Sequence, residues 1–529
     1  VSNLTHALDV SKSVFTQACA GAGKTFALTK RYATILDSFA KEIEEGAEPR
    51  DFDQRQILVI TFTKKATGEM NRRIYQDVNL LLSGKKPKGM EELDFCPTLR
   101  NSQQVNVRKF TKNLKDTFSR NSISTIDAFC ANILREFAYK LNIDPQFLSQ
   151  DEHDTKKLLN ETLDAWVAEK LEEDPSYFND LLDELSFYQI KEILKSMYGS
   201  REILDEYIND FEKKTEERIW KDWLTRYTPA GEIENLVSTF NALWSDLSVL
   251  CTNTKDALFL GLEEFHRNIN ELDKSNAQEY RAFLISDIIR KSVFVTKSGT
   301  YIKRWVGSKS SWSDERELVI DWFNNLKDTV AEEDLLMTPG VQDKKIIPLL
   351  KSMIEGYRDF DDYFKKIRMD RDLLDFSDVI ILTHRLLSDP KHADVLKILG
   401  KRYRHIMLDE FQDTNPMRWQ IIEMILKAGK DIKLFIVGDR KQSIYRFNNA
   451  DVRVMDTARE FIGEKPIEFN DNYRSSEKFI KEAINDLMPG ILKTPGESRE
   501  KYEAVFEETQ FSSKKDDKPD IDEPAIERI

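Results

Sequence analysis

ACAGAGKT, at residues 18–25, is the stretch that decides the fold. Ala20, Gly21, Ala22 and Gly23 are small enough for the backbone to curl until several N–H groups face one phosphate. Lys24 adds a point charge for the β- and γ-phosphates, and the Thr25 hydroxyl suits Mg²⁺. Ala18 stands where this loop pattern has its first glycine. Residues 13–18 before it are of strand type, and residues 24–39 after it have helical periodicity, so the loop ends at the positive N-terminus of a helix. A small-residue turn with an incidental Gly-Lys-Thr is the bland alternative; the strand–loop–helix setting argues against it. The loop implies an α/β fold with ATP and Mg²⁺ as its ligands.

A phosphate loop needs an acidic partner for the metal and the water. MLDEFQD, at residues 407–413, ends an apolar run and supplies one. Asp409 suits the ion, and Glu410 suits orientation or deprotonation of the attacking water. Asp-Glu also begins helices as an N-cap; the loop at residues 18–25 tips the balance towards the metal. Four further runs read as strands: QILVITFT (56–63), residues 122–126, IKLFIVGD (432–439) and residues 467–469. Continuous apolar runs of this length suit a parallel sheet covered on both faces.

Between residues 151 and 370 the character changes. Apolar residues recur at helical spacing in a charged background, as in LLNETLDAWVAEKLEE (158–173), IWKDWLTRY (219–227) and LVIDWFNNL (318–326). This predicts an all-helical insertion, with Trp166, Trp220, Trp223, Trp244, Trp305, Trp312 and Trp322 as core rather than base-stacking platforms. Residues 512–529 are polar and read as a tail or linker.

Composition narrows the class. With 40% hydrophobic and 33% charged residues, the 529-residue chain has material for a core and is too apolar for a disordered one. No apolar run approaches the roughly 18 residues that span a bilayer, so no membrane partner is expected. Cys19, Cys96, Cys130 and Cys251 form no CxxC pair, and the six histidines are scattered, which argues for a reducing, cytoplasmic setting without a zinc site. A net charge of −14 argues against a passive nucleic-acid coat but not against a motor with a local groove.

TFTKKATGEMNRRI (61–74), ISTIDAFCANILR (123–135), LDEFQDT (408–414), VGDRKQSIYRF (437–447) and DNYRSS (471–476) stand in the order found in UvrD/Rep-type superfamily 1A DNA helicases, which the chain resembles. Within that group it is most similar to the AddA/RecB helicase-nuclease subunits, on IDAFC (126–130), DPQF (144–147) followed by Asp151-Glu152, LDFSD (374–378) and KQSIYRF (441–447). The resemblance implies a RecA-like ATPase core domain in two parts, residues 1–150 and 371–485, a helical insertion subdomain at 151–370, and a linker or start of a second core domain at 486–529. It implies 3′→5′ polarity and a role in recombination or double-strand-break repair. Gln442 would then be the γ-phosphate sensor, Arg474 the γ-phosphate arginine and Tyr473 the ring on adenine. Thr61, Phe62, Thr63, Lys64, Ser124, Thr125, Asp127, Tyr445, Arg446 and Phe447 would line the track for single-stranded DNA. The implied partners are DNA ends and a nuclease subunit. A UvrD/Rep-type repair helicase fragment and a non-motor, ATP-gated DNA-binding module are the alternatives.

The chain departs from the family pattern in places. No Gln-containing adenine-reading segment can be placed before residue 18. Lys64 follows the Thr-Phe-Thr triplet where relatives often have asparagine, Asn448-Asn449 replace Arg-Gly, and Asp127 stands where repair-type relatives often have histidine. No motif of a second core domain, nor of a nuclease domain, is found after Ser476, so an incomplete protein with little unwinding activity of its own is expected.

Overall fold

The computed structural model describes residues 2–149, 152–227, 237–238, 240–242, 244–245, 248–272, 284, 288, 311–312, 344–443, 450–473, 485 and 510–511. The chain forms two compact units, one of residues 1–162, 200–203 and 364–529, the other of residues 163–199 and 204–363.

The first unit is built on a six-stranded sheet: β1 Val14–Ala18, β2 Ile57–Thr61, β3 Ser122–Thr125, β4 His405–Leu408, β5 Lys433–Gly438 and β6 Ile467–Phe469. Their order across the sheet is β3-β2-β4-β5-β1-β6, and every pairing is parallel. Every residue of β2 and β4 is buried, as a sheet covered on both faces requires. Alternate side chains feed two cores. Ile57, Val59, Met407, Phe435 and Val437 cluster with Leu28, Leu36, Ile74 and Phe110, from the helices Lys24–Glu44, Lys64–Leu82 and Val105–Thr117. Leu58, Ile60, Ile406, Leu408, Leu434 and Ile436 cluster with Phe129, Ile133, Ile380 and Ile422, from the helices Ile126–Glu136, Phe376–Ser388 and Pro416–Ala428. At roughly 25 cal/mol per Å² of apolar surface, these two layers fix the strand register, and with it the level at which each strand ends.

Leu148–Ser149 and Leu373–Leu374 pair in parallel, so the chain segments on either side of residues 150–372 run side by side. Beyond the second of these strands, Asp375 caps the helix Phe376–Ser388 in a capping box with Asp378. Arg201 and Arg368, both buried, form ion pairs with these two carboxylates.

The described part of the second unit is mostly helical, including Phe187–Gly199, Glu216–Tyr227 and Ala257–Asn270, with one antiparallel bridge between Cys251 and Trp312. Trp166 is fully buried, its ring edge-on to Phe178 at 5.6 Å and Phe360 at 5.4 Å. Trp220 sits with Ile219, Leu224 and Ile347, with Trp223 packed alongside. Trp244 stacks on His266 at 5.2 Å, and Trp312 is buried. These five rings are packing residues; Trp305 and Trp322 lie outside the described residues. Among the described residues no helix is long and apolar enough to cross a membrane, and no disulfide joins the four buried cysteines.

Candidate active site

The parallel sheet brings the strand ends to one edge, where ligands bind in open α/β folds. After β1 the chain turns through Cys19–Gly23 with Gly21 at φ 77° and Gly23 at φ 88°. Those left-handed values explain glycine at both positions. Ala18, in the place of the first glycine, is still strand, paired with Phe469 and fully buried, so it needs no special backbone. The loop is tied by Ala22 N–H to the Cys19 carbonyl at 3.1 Å. Ala20 is exposed and Thr25 half-buried.

Lys24 opens the helix that follows. Its Nζ lies 3.0 Å from Glu410 Oε2 and 3.0 Å from Gln442 Oε1. Asp409 follows β4, its N–H donating to the Ile60 carbonyl at 2.9 Å. Burial pushes its carboxyl up to about 6, the charge of Glu410 adding to the effect and Lys24 opposing it. Glu410 has φ 47°, a left-handed value that non-glycine residues adopt at an energetic cost. Asp413 is pushed up to about 7 by burial and by Glu410, and among the described residues its buried Oδ1 has no hydrogen-bond partner.

Gln442 Nε2 donates to Asp439 Oδ2 at 2.6 Å. Asp439 N–H donates to Gln412 Oε1 at 2.9 Å, and Gln412 Nε2 donates to Glu410 Oε2 at 2.8 Å. Lys24, Gln442, Asp439, Gln412 and Glu410 therefore close a hydrogen-bonded ring across the ends of β1, β4 and β5. From beyond β6, Asn472 Nδ2 donates to the Ala20 carbonyl at 2.8 Å and Tyr473 N–H to the Gly21 carbonyl at 3.0 Å. The Tyr473 residue is 38% exposed, which leaves surface for a contact. Arg474 lies outside the described residues.

No group of three or more His, Cys, Asp or Glu that could hold a metal occurs among the described residues. Half-buried Asp409, whose charge is costly beside Glu410, is the oxygen donor that a Mg²⁺ ion held on substrate phosphates would neutralise.

Beside this site run the segments after β2 and β3. Thr61 is buried, its hydroxyl 2.6 Å from Thr67 Oγ1. Thr63 caps the helix Lys64–Leu82 by accepting from Ala66 N–H at 3.0 Å. Thr63 and Lys64 are exposed and Phe62 half-buried. Thr125 is buried and caps the helix Ile126–Glu136, and Ser124 is half-buried. Asp127, its carboxyl raised chiefly by burial, pairs with Arg418 at 3.3 Å. Arg418 also lies 3.6 Å from Glu202, which accepts from buried Asn415 at 2.5 Å. Tyr445, Arg446 and Phe447 lie outside the described residues. Sequence reasoning missed Gln412, Asn472, Arg418 and Glu202. The first two stand inside quoted segments, LDEFQDT and DNYRSS, but no residue-type rule singled them out.

The family model described as the UvrD/REP helicase N-terminal domain matches residues 3–462. Three relatives, each named as one of the subunits of an ATP-dependent helicase/nuclease, illustrate the similarity. That of Lactobacillus gasseri is 27% identical across 92% of this chain and 39% of its own length. That of Clostridium beijerinckii is 26% identical across 93% and 40%, and that of Staphylococcus saprophyticus 24% across 89% and 37%. The chain thus spans about two-fifths of the relatives it matches. With the loop, the acidic segment and the segment around Gln442 meeting at one sheet edge, the chain belongs to the UvrD/REP helicase family, as its N-terminal domain.

Proposed function

We propose that this chain is the ATP- and single-stranded-DNA-binding half of a superfamily 1A DNA motor that works 3′→5′, of the helicase/nuclease type that takes part in recombination and double-strand-break repair. One observation carries the reading. Lys24 Nζ is 3.0 Å from both Glu410 and Gln442, residues 386 and 418 positions further along the chain. A buried lysine held by two polar ends, above a loop with two left-handed glycines, is a phosphate site in waiting.

In this reading Ala20–Gly23 cradle the phosphates, with backbone N–H groups and the helix end supplying positive potential. Lys24 leaves its two partners for the β- and γ-phosphates. Thr25 and Asp409 would hold Mg²⁺, which neutralises charge on the phosphates. Glu410 orients the attacking water and accepts its proton; Gln442 senses the γ-phosphate. Arg474 stabilises the transition-state charge, and Tyr473 covers adenine.

The DNA track divides by exposure. Thr63, Lys64, Phe62 and Ser124 are its contact surface, and Tyr445, Arg446 and Phe447 are further candidates for contact with the strand. Thr61 and Thr125 shape it from within, and Asp127 reaches it through Arg418. Hydroxyl and lysine contacts to phosphate grip without reading sequence. Residues 151–370 serve as the helical insertion between two parts of one ATPase core domain. DNA ends, a nuclease partner and the cytoplasm complete the proposal.

ATP hydrolysis stimulated by single-stranded DNA tests it. Lys24→Ala and Glu410→Gln should each lower hydrolysis by about 100-fold or more, and Lys24→Ala should also weaken binding of a fluorescent ATP analogue. Unaltered binding and hydrolysis in Lys24→Ala would overturn the reading.

A further inference from the structure

We propose that Gln412 is a positioning residue that holds the Glu410 carboxylate against the end of β5 while Lys24 is engaged with a phosphate. The inference rests on the reading of Lys24 and Glu410 given above. Glu410 Oε2 receives two hydrogen bonds, from Lys24 Nζ at 3.0 Å and from Gln412 Nε2 at 2.8 Å. A triphosphate claims the first donor. The second remains, because nothing about the phosphate competes for it.

The orientation of Gln412 is set by chemistry. Its Oε1 accepts from Asp439 N–H at 2.9 Å. A backbone N–H can only donate, so the amide oxygen must face β5 and the NH₂ must face Glu410. The side chain is 2% exposed, so water does not substitute for either partner. Ser443 Oγ donates to the Gln412 carbonyl at 3.2 Å, which fastens the backbone as well. The neighbouring backbone is shaped around this amide: a Cβ on Gly438 would stand 3.0 Å from Gln412 Oε1 and 3.4 Å from its N. Glutamate at position 412 would oppose the Glu410 charge, asparagine would be one methylene short, and methionine would fill the space with no donor. Only glutamine both spans the gap and presents an acceptor to one side and a donor to the other.

The same bridge joins the water-handling group to the sensor, since Asp439 also accepts from Gln442 at 2.6 Å. When Lys24 departs, the ring opens on one side and keeps the Glu410–Gln412–Asp439–Gln442 arc. The arc fixes the distance between Glu410 and Gln442 without the lysine.

Gln412→Met tests this. Single-turnover hydrolysis, with protein in excess and single-stranded DNA present, should fall about tenfold or more, the scale of a lost hydrogen bond to a charged group. The Kd for a fluorescent ATP analogue should stay within about twofold. In a Glu410→Gln background the substitution should cause no further loss, because Gln412 acts through Glu410. Gly438→Ala, which presses on the same amide from the other side, should give a weaker loss with the same split, and it carries the test if Gln412→Met fails to fold. Unchanged hydrolysis, an equal loss of binding, or a multiplicative loss in the double variant would each overturn the inference. Lys24→Ala separates the two levels: if it abolishes nucleotide binding while Gln412→Met changes nothing, only the role of Gln412 falls; if Lys24→Ala changes nothing, the reading of the site falls with it.

Discussion

The edge of the sheet in the first unit and the interior of the second are held by opposite kinds of force. At the strand ends Lys24, Glu410, Gln412, Asp439 and Gln442 hold one another by directional bonds of 2.6–3.0 Å. Around Trp166 the neighbours are Tyr177, Phe178 and Phe360, with ring centroids 5.4–6.1 Å apart. The first region keeps partly desolvated charge in place, at an expense in stability. The second gains stability from apolar area and dispersion and performs no chemistry. Substitutions in the two regions should therefore separate activity from stability.

The largest expected effect lies in the aromatic interior. Trp166→Ala should destabilise the chain by about 3–5 kcal/mol, read by urea unfolding, while nucleotide affinity per folded molecule stays the same. Equal damage to affinity would break the contrast. Asp413→Asn sharpens it from the polar side. Asp413 titrates near 7 in the folded chain, above its ordinary 3.8. The folded state thus binds this proton more tightly than the unfolded chain, and this contribution to stability is fully present below pH 4. It is lost as pH rises from 4 to about 7 and is constant above. The amide introduced by the substitution cannot ionise, so the variant should be more stable than the parent at pH 8 by on the order of 1–3 kcal/mol, with the difference vanishing towards pH 4. Thermal midpoints at the two pH values measure it, and a difference independent of pH would refute it.

Much of this was legible in the residues. The six strands of the sheet lie within a residue or two of the runs that announced them; the central strands β2, β4 and β5 read most clearly because strands buried on both faces are apolar almost throughout. The loop at residues 18–25 and the Asp409–Glu410 pair were legible because phosphate and metal chemistry restrict residue type at fixed spacing. Gln412 and Asn472 were not. An amide that bridges two loops is recognised by where its partners stand, and pattern does not carry that. The helix Val105–Thr117 went unread, since its few buried positions, Val107, Phe110 and Leu114, sit in a strongly charged background. Arg201 and Glu202 were not singled out, because their partners Asp375 and Asn415 lie far along the chain.

The smallest expected effects fall on the exposed track, where neither kind of force is concentrated. Lys64→Ala should leave stability within about 0.5 kcal/mol and reduce the slope of log K against log salt for single-stranded DNA by about 1. Thr63→Ala should cost about 1 kcal/mol through its lost helix cap. An unchanged salt slope in Lys64→Ala would remove that lysine from the DNA surface.

The short parallel pairing of Leu148–Ser149 with Leu373–Leu374 has a consequence for how such a protein can be remodelled. A long excursion whose two ends are already side by side is a replaceable module, open to exchange for a different one through a brief connector. Excision is not neutral, however: it would take Arg201 and Arg368 with it and leave buried Asp375 beside the mostly buried Asp378 with no counterion from either arginine. A minimal catalytic core designed from this chain should therefore neutralise that acidic pair at the graft point.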